Sequence, residues 1–291
     1  MKYIIILLVL LSTFIHLRSE ESKNQSYTYI LKRSFEVAGR QGVAVDKDHY
    51  YVSGSKSIYK YSRNGKLVSK NIDPFKNYTV AANHIGDIDV YNDEIFVSAE
   101  YFMDGVGKDI QIAIHDAKTL LFKRAFNFEL NSGQKEVSGI CVDRAHKTVW
   151  MCSWVGENSG NYLYEYDLTS GSYLRKVHIF PVPQWQQGIF YYKGHLYLSA
   201  DDGDADNGEW DHLYRVNVSE KTNALVTLEK TFDDIKFPGE AEGIAVDFIT
   251  KEFLIHFNRG KRIVLGMPKG FYKGYNREIH EVYVYKINDK Q

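Results

Sequence analysis

The chain has 291 residues, among them 22 Tyr, 16 Phe and 5 Pro, and a formal net charge of −1 at pH 7. A balance so near zero, with Lys and Arg scattered rather than striped, gives no electrostatic footprint for nucleic acid or an anionic membrane. Two cysteines exclude a cysteine-rich zinc site, and the aromatic content suits a sheet protein rather than a disordered one.

In chain order, Met1-Lys2-Tyr3 and the apolar run IIILLVLLSTFI read as a signal peptide over residues 1–19, with Ser19 as the small residue before cleavage. The run is short against the ~20 residues of a transmembrane helix. An exported protein, secreted or periplasmic, with no stable membrane span is the expectation, and residues 20–291 form one domain. Sequons stand at Asn24, Asn77 and Asn217.

Tyr27-TYILKRSFEV follows as a β-rich run with no hairpin partner of its own. Then come five copies of one pattern, opening at Gly42, Asp87, Gly139, Gly188 and Gly243. Each has a short apolar strand, an aromatic-rich second strand and a third strand (SIYKYS, IQIAIHD, YLYEYDL, HLYRVNV, EVYVYKI). The period, roughly 45 to 50 residues, is that of a four-stranded propeller blade. The spacing predicts an all-β, five-bladed β-propeller. Its fifth copy supplies three strands, so the N-terminal run is expected to join the last blade and close the ring. Cys141 and Cys152 fall on one hairpin, as a cross-strand disulfide or as two buried free thiols.

In such a ring the loops entering each first strand meet the loops joining second to third strands at one mouth. The entry set carries Arg40, Gln41, His84, Glu136, Gln187, Glu240 and Glu242; the other carries Glu100, Trp154, Asp201, Asp202 and Arg259. Carboxylates, amides, a His, two Arg and an aromatic converging in this way suit a small polar ligand. His84, Asp87, Glu136 and Glu242 are the candidate acid–base groups. Arg40, Gln41, Asp89, Glu100, Trp154, Gln187 and Arg259 are the candidate ligand contacts. The bland alternative is that entry-loop carboxylates cap backbone N–H groups.

The second copy departs most. Asp87 stands where its siblings have Gly, and Asp89 where they have Ala44, Cys141, Phe190 and Ala245. A carboxylate on an innermost strand must be paired, metal-bound or protonated. In the fourth copy, Asp202, Asp204 and Asp206 alternate before Asn207-Gly208, as in the first half of a calcium loop. Calcium or another divalent cation is the expected cofactor there, although position twelve is Leu213 rather than Glu. There is no Gly-rich phosphate loop, GxSxG or HExxH.

The strand pattern G-[IV]-x-[VY]-D, with its aromatic and Tyr strands, resembles the broad superfamily of secreted propellers with NHL-like or YWTD-like repeats. That resemblance implies fold only. Glu136, Glu240 and Glu242 loosely match the glutamate-rich blade starts of plant-type glutaminyl cyclotransferases. The functional expectation is an exported monomer holding a small polar ligand, glycan or peptide at the mouth. One alternative is a metal-assisted hydrolase or lyase at the same place. Another is a protein–protein scaffold, with Tyr101, Phe102 and Met103 as its contacts.

Overall fold

The structure is a computed structural model that describes residues 26–126, 129–154, 158–219, 222–264 and 267–290. The leader reading of residues 1–19 and the sequon at Asn24 lie outside the described residues. Among the described residues there is no helix long and apolar enough to cross a membrane.

Strand β1 is Tyr27–Val37. A first four-stranded unit follows as β2 (Val43–Val45), β3 (His49–Gly54), β4 (Ser57–Ser62) and β5 (Leu67–Asn71). The next comprises β6 (His84–Tyr91), β7 (Glu94–Met103), β8 (Val106–Asp116) and β9 (Phe122–Phe126). After a 3-10 turn at Leu130–Ser132 come β10 (Gly139–Asp143), β11 (Thr148–Cys152), β12 (Tyr162–Asp167) and β13 (Tyr173–Phe180). Then come β14 (Gln186–Tyr192), β15 (His195–Ala200), β16 (His212–Asn217) and β17 (Asn223–Thr231). The last stretch holds β18 (Gly239–Asp247), β19 (Glu252–Arg259), a small hairpin β20 (Lys261–Val264) and β21 (Met267–Phe271), and β22 (Ile279–Asp289).

Within each unit the strands pair antiparallel in sequence order. The last sheet runs β1-β22-β19-β18, so the N-terminal strand pairs with the C-terminal one, from Tyr27 opposite Asp289 to Val37 opposite His280. Glu229 of β17 fixes the start of β1, accepting from the Ser26 and Tyr27 N–H groups at 3.0 and 3.2 Å and from the Tyr29 hydroxyl at 3.1 Å. The first strands β2, β6, β10, β14 and β18 adjoin one another in a closed cycle. The arrangement is β-propeller-like. One feature departs from separate blades: the outermost strands β13 and β17 pair in parallel, from His178–Asn223 to Phe180–Leu225, and merge two units into one eight-stranded sheet. That pairing covers two edges that would otherwise expose their N–H and C=O groups.

Burial follows the layering. β2 and β10 are buried throughout, which is why they read as unbroken apolar runs, whereas the outer strand β5 is half exposed. Two kinds of turn close the first hairpins. Asp46, Asp143 and Asp247 each accept two N–H groups from residues two and three further on, an Asx turn that explains the recurring Asp after the first strand. The other two hairpins use two-residue loops with positive φ, Asn92-Asp93 and Lys193-Gly194.

A repeated clasp joins neighbouring units. Ser53 Oγ donates to the Gly86 carbonyl (2.7 Å), Ser98 Oγ lies 3.5 Å from the Ser138 carbonyl, and Ser199 Oγ donates to the Glu242 carbonyl (2.5 Å). His256 Nε2 closes the cycle on the Gly39 carbonyl at 3.0 Å. At the equivalent place in the third unit sits Cys152, 3.6 Å from Ser138 Oγ. Cys141 and Cys152 are both buried and free, two register steps apart, so the hairpin carries thiols rather than a bridge.

Candidate functional site

Each first strand runs away from one end of the ring and each second strand returns to it. The residues at those strand ends therefore meet, and they enclose a cavity of about 560 Å³. Arg40 and Gln41 come from just before β2, His84 from the start of β6, and Glu136 and Ser138 from just before β10. Gln187 belongs to β14, and Glu240 and Glu242 to β18. Opposite them stand Ser55, Phe102, Trp154 and the loop Asp201–Asp206. Of the residues singled out in the sequence, His84, Glu136, Glu242, Arg40, Gln41, Trp154, Gln187, Asp202, Asp204 and Asp206 line this one space.

The wall is tightly wired. His84 Nδ1 lies 3.2 Å from Glu100 Oε1, and Glu100 Oε2 accepts from the Val137 N–H at 3.2 Å. Glu100 is fully buried behind the imidazole, and that burial pushes its carboxyl up to about 8. Burial, with Arg40 and Lys56 nearby, lowers His84 to about 4, so the ring is neutral at pH 7. Glu136 accepts from the Trp154 N–H through Oε2 at 2.5 Å. Arg40 Nε stands 3.0 Å from Glu278 Oε1, and its Nη2 is 3.7 Å from Glu240 Oε2. Burial raises Glu240 to about 7 against the pull of Arg40. Glu242 is held well above the ordinary range by burial, against the pull of Arg40, with Glu240, Glu278 and Asp87 adding to the rise.

Four of the candidate residues fall elsewhere. Glu100 acts behind His84 rather than on the cavity surface. Asp89 ties two units together: Oδ2 accepts from the Val142 N–H at 2.8 Å, and Oδ1 pairs with Arg144 at 2.9 Å. Arg259 pairs with Glu281 at 2.7 Å and with the Tyr275 hydroxyl at 3.0 Å. Asp87 is 1% exposed and turned into the ring. Its Oδ1 accepts from Ile88 at 2.8 Å and from Val43 of the neighbouring unit at 3.2 Å. A Cβ on Gly42 or Gly243 would collide with that oxygen, so those glycines leave the room that Asp87 occupies. Burial, then Asp89, raises its carboxyl well above the ordinary range.

The alternating aspartates do not converge. Asp202 bonds His212 Nδ1 at 2.8 Å and the Tyr214 hydroxyl at 2.5 Å. Asp204 caps its own turn, accepting from the Asp206 and Asn207 N–H groups, and Asp206 pairs with Arg262. Among the described residues no group of three or more His, Cys, Asp or Glu is placed to hold a metal ion. Of the scaffold candidates, Phe102 faces the cavity, Lys108 lies 4.8 Å from the centre of the Tyr101 ring, and Met103 is exposed. Asn77 and Asn217 are exposed.

Sequence reasoning missed the hairpin β20–β21. Its Arg262, Ile263 and Val264, with Tyr272 just beyond, complete the cavity wall, and the Arg262–Asp206 pair fastens it to the acidic loop. Arg259-Gly260-Lys261-Arg262 reads as a solvated basic loop, and Pro268 argues against a strand. Trp185, which also lines the cavity, has no signal beyond its neighbouring glutamines.

No protein-family model matches the chain, and no curated protein matches it. Solved structures do. A Bacteroides caccae protein of unknown function shares 13% identity, covering 74% of this chain and 69% of that one, with a TM-score of 0.46. A Xanthomonas campestris gluconolactonase shares 12%, covering 86% and 72%, with a TM-score of 0.49. Hydrazine synthase from Kuenenia stuttgartiensis shares 11%, covering 90% and 69%, with a TM-score of 0.44. At these levels none of their activities transfers to this chain.

Proposed function

We propose that the chain is an exported five-bladed β-propeller that binds a small polar ligand, on the scale of a sugar or a short peptide, in the cavity at its mouth. The closed cycle of first strands supports the count of five, and the apolar leader supports export. One observation carries the ligand reading: residues from every repeat unit, most of them polar, converge on a single cavity of about 560 Å³. That volume lies within the range of small-molecule sites, ~300–1,000 Å³.

A second reading has one specific observation in its favour. The His84–Glu100 pair orients an imidazole at the cavity wall through its Nδ1, the arrangement of a positioned general base. Glu242, whose hold on its proton burial strengthens, would serve as the acid of a hydrolase or lyase. Calcium enters this proposal only if the Asp204 turn rearranges, which melting in millimolar calcium against chelator would reveal.

The test is a thermal-shift screen of the purified protein against neutral sugars, amino acids, short peptides and small amines. At least one class should raise the Tm, and Trp154→Ala should abolish the rise while leaving the unliganded Tm within a few degrees. Should no class shift the melt, the ligand reading falls. His84→Ala separates the two readings: binding retained with turnover lost would favour the enzyme.

A further inference from the structure

The cavity wall holds seven carboxylates and two guanidinium groups. Both guanidinium groups are already committed, Arg40 to Glu278 and Glu240, and Arg262 to Asp206. Glu242 and Asp201 make no direct ion pair among the described residues, and Arg40, the cation that acts on Glu242, is shared with Glu240 and Glu278. Glu242 is 3% exposed and lines the cavity; its Oε1 accepts from Asn258 Nδ2 at 2.6 Å, and among the described residues its Oε2 has no hydrogen-bond partner. Asp201 also lines the cavity, and among the described residues no group donates to its carboxylate. Asp211, Glu240, Glu242 and Asp202 all stand close enough to oppose its ionisation. Like charges held close together in a cavity wall are costly unless a cation comes between them or they take up protons.

The rest of the wall points the same way. Phe102, Trp154, Trp185 and Tyr272 line the same cavity, with Phe102 and Trp154 edge to face at 6.4 Å. Aromatic faces attract organic cations and offer apolar surface to a carbon skeleton. A bare divalent ion would gain nothing from them, and no metal-holding group is formed among the described residues.

We infer that the ligand is an organic cation, an amine or guanidine whose charged head sits between Glu242 and Asp201 and whose carbon skeleton lies against the aromatic wall. This inference rests on the small-ligand reading above. It excludes a neutral sugar as the preferred occupant.

Isothermal titration of the full chain at pH 8 with agmatine and 1,4-diaminobutane, against the neutral isostere 1,4-butanediol and against glucose, tests it. The expected result is saturable binding of at least one amine, with butanediol at least tenfold weaker. Glu242→Gln should weaken the amine at least tenfold. Asp201→Asn should do the same, and serves if the first variant fails to fold. Amine binding that survives both substitutions overturns the assignment to this cavity. Glucose saturating while both amines fail overturns the cation but leaves the small-ligand reading standing. If nothing binds, both fall.

Discussion

Asp87 occupies the space that Gly42 and Gly243 leave open and accepts backbone N–H groups from its own strand and from the next unit. It is also surrounded by groups that oppose its charge: the burial itself, Asp89, and Glu242 nearby, against the N–H groups of Ile88, Val43 and Ile189. Its folded-state pKa is raised, so the folded protein keeps a proton that the unfolded chain loses near pH 4. The stability this confers is complete below that pH and is lost as pH rises through the folded value. The Tm of the wild type should therefore fall with rising pH. Asp87→Asn, which keeps the acceptor and cannot titrate, should fall less steeply and match the wild type near pH 5. Asp87→Ala should be less stable at every pH, by about 1–3 kcal/mol, because it leaves buried N–H groups unpaired. Thermal melts from pH 4 to 9 check this, and equal losses in the Asn and Ala variants would refute a neutral carboxyl. Comparing the repeats was enough to single out Asp87. Its direction was not legible, because a register shift between Ile85 and Ile88 breaks the alternation of faces just there. A similar shift between Ala241 and Ile244 brackets Glu242, so neither side chain could be assigned to mouth or ring from parity alone.

Between elements, the clasps hold one unit to the next through a single side chain on each second strand. Ser199 Oγ donates to the Glu242 carbonyl and accepts from the Gly188 N–H at 2.9 Å, so it braces the very strand that carries a cavity carboxylate. Ser199→Ala strips both partners inside the protein and should cost about 1–3 kcal/mol in denaturant unfolding. Ser199→Cys should cost less, since Cys152 already stands at the equivalent position of another unit. Equal losses for the two variants would show that the hydroxyl bonds are not what matters. The recurring Ser is plain in the repeats (YVSG, FVSA, YLSA), but its acceptor lies in the following copy. Only the placement of neighbours could reveal the contact. The β20–β21 hairpin was hidden for a different reason: a strand containing Pro268 carries a local signal against itself, and the Arg262–Asp206 pair that anchors it spans 56 residues.

For the molecule as a whole, period and closure were legible because both are written as repeated local patterns and one orphan strand. The fusion through β13 and β17 was not, since parallel pairing of two outer strands leaves no local mark. Closure by β1 also predicts a dependence. Without residues 26–38, β22 loses the partner on its outer edge and keeps only β19, and Glu229 loses three donors. Such a chain should aggregate or unfold non-cooperatively, and a synthetic peptide of those residues should restore a single cooperative melt by adding itself to the open edge. A truncated chain that melts cooperatively by itself would show that the ring does not need this strand. The same pairing has a temporal side. β1 leaves the ribosome among the earliest parts of the domain, yet its partner is among the last. While every intervening unit is being translated, Tyr27–Val37 stays an unpaired β-rich strand, free to find a wrong edge on its own chain or on a neighbour's. A cell making this protein must keep that strand unengaged until β22 emerges, so the yield of correctly closed molecules should depend on translation rate and on chaperones as well as on the stability of the finished ring.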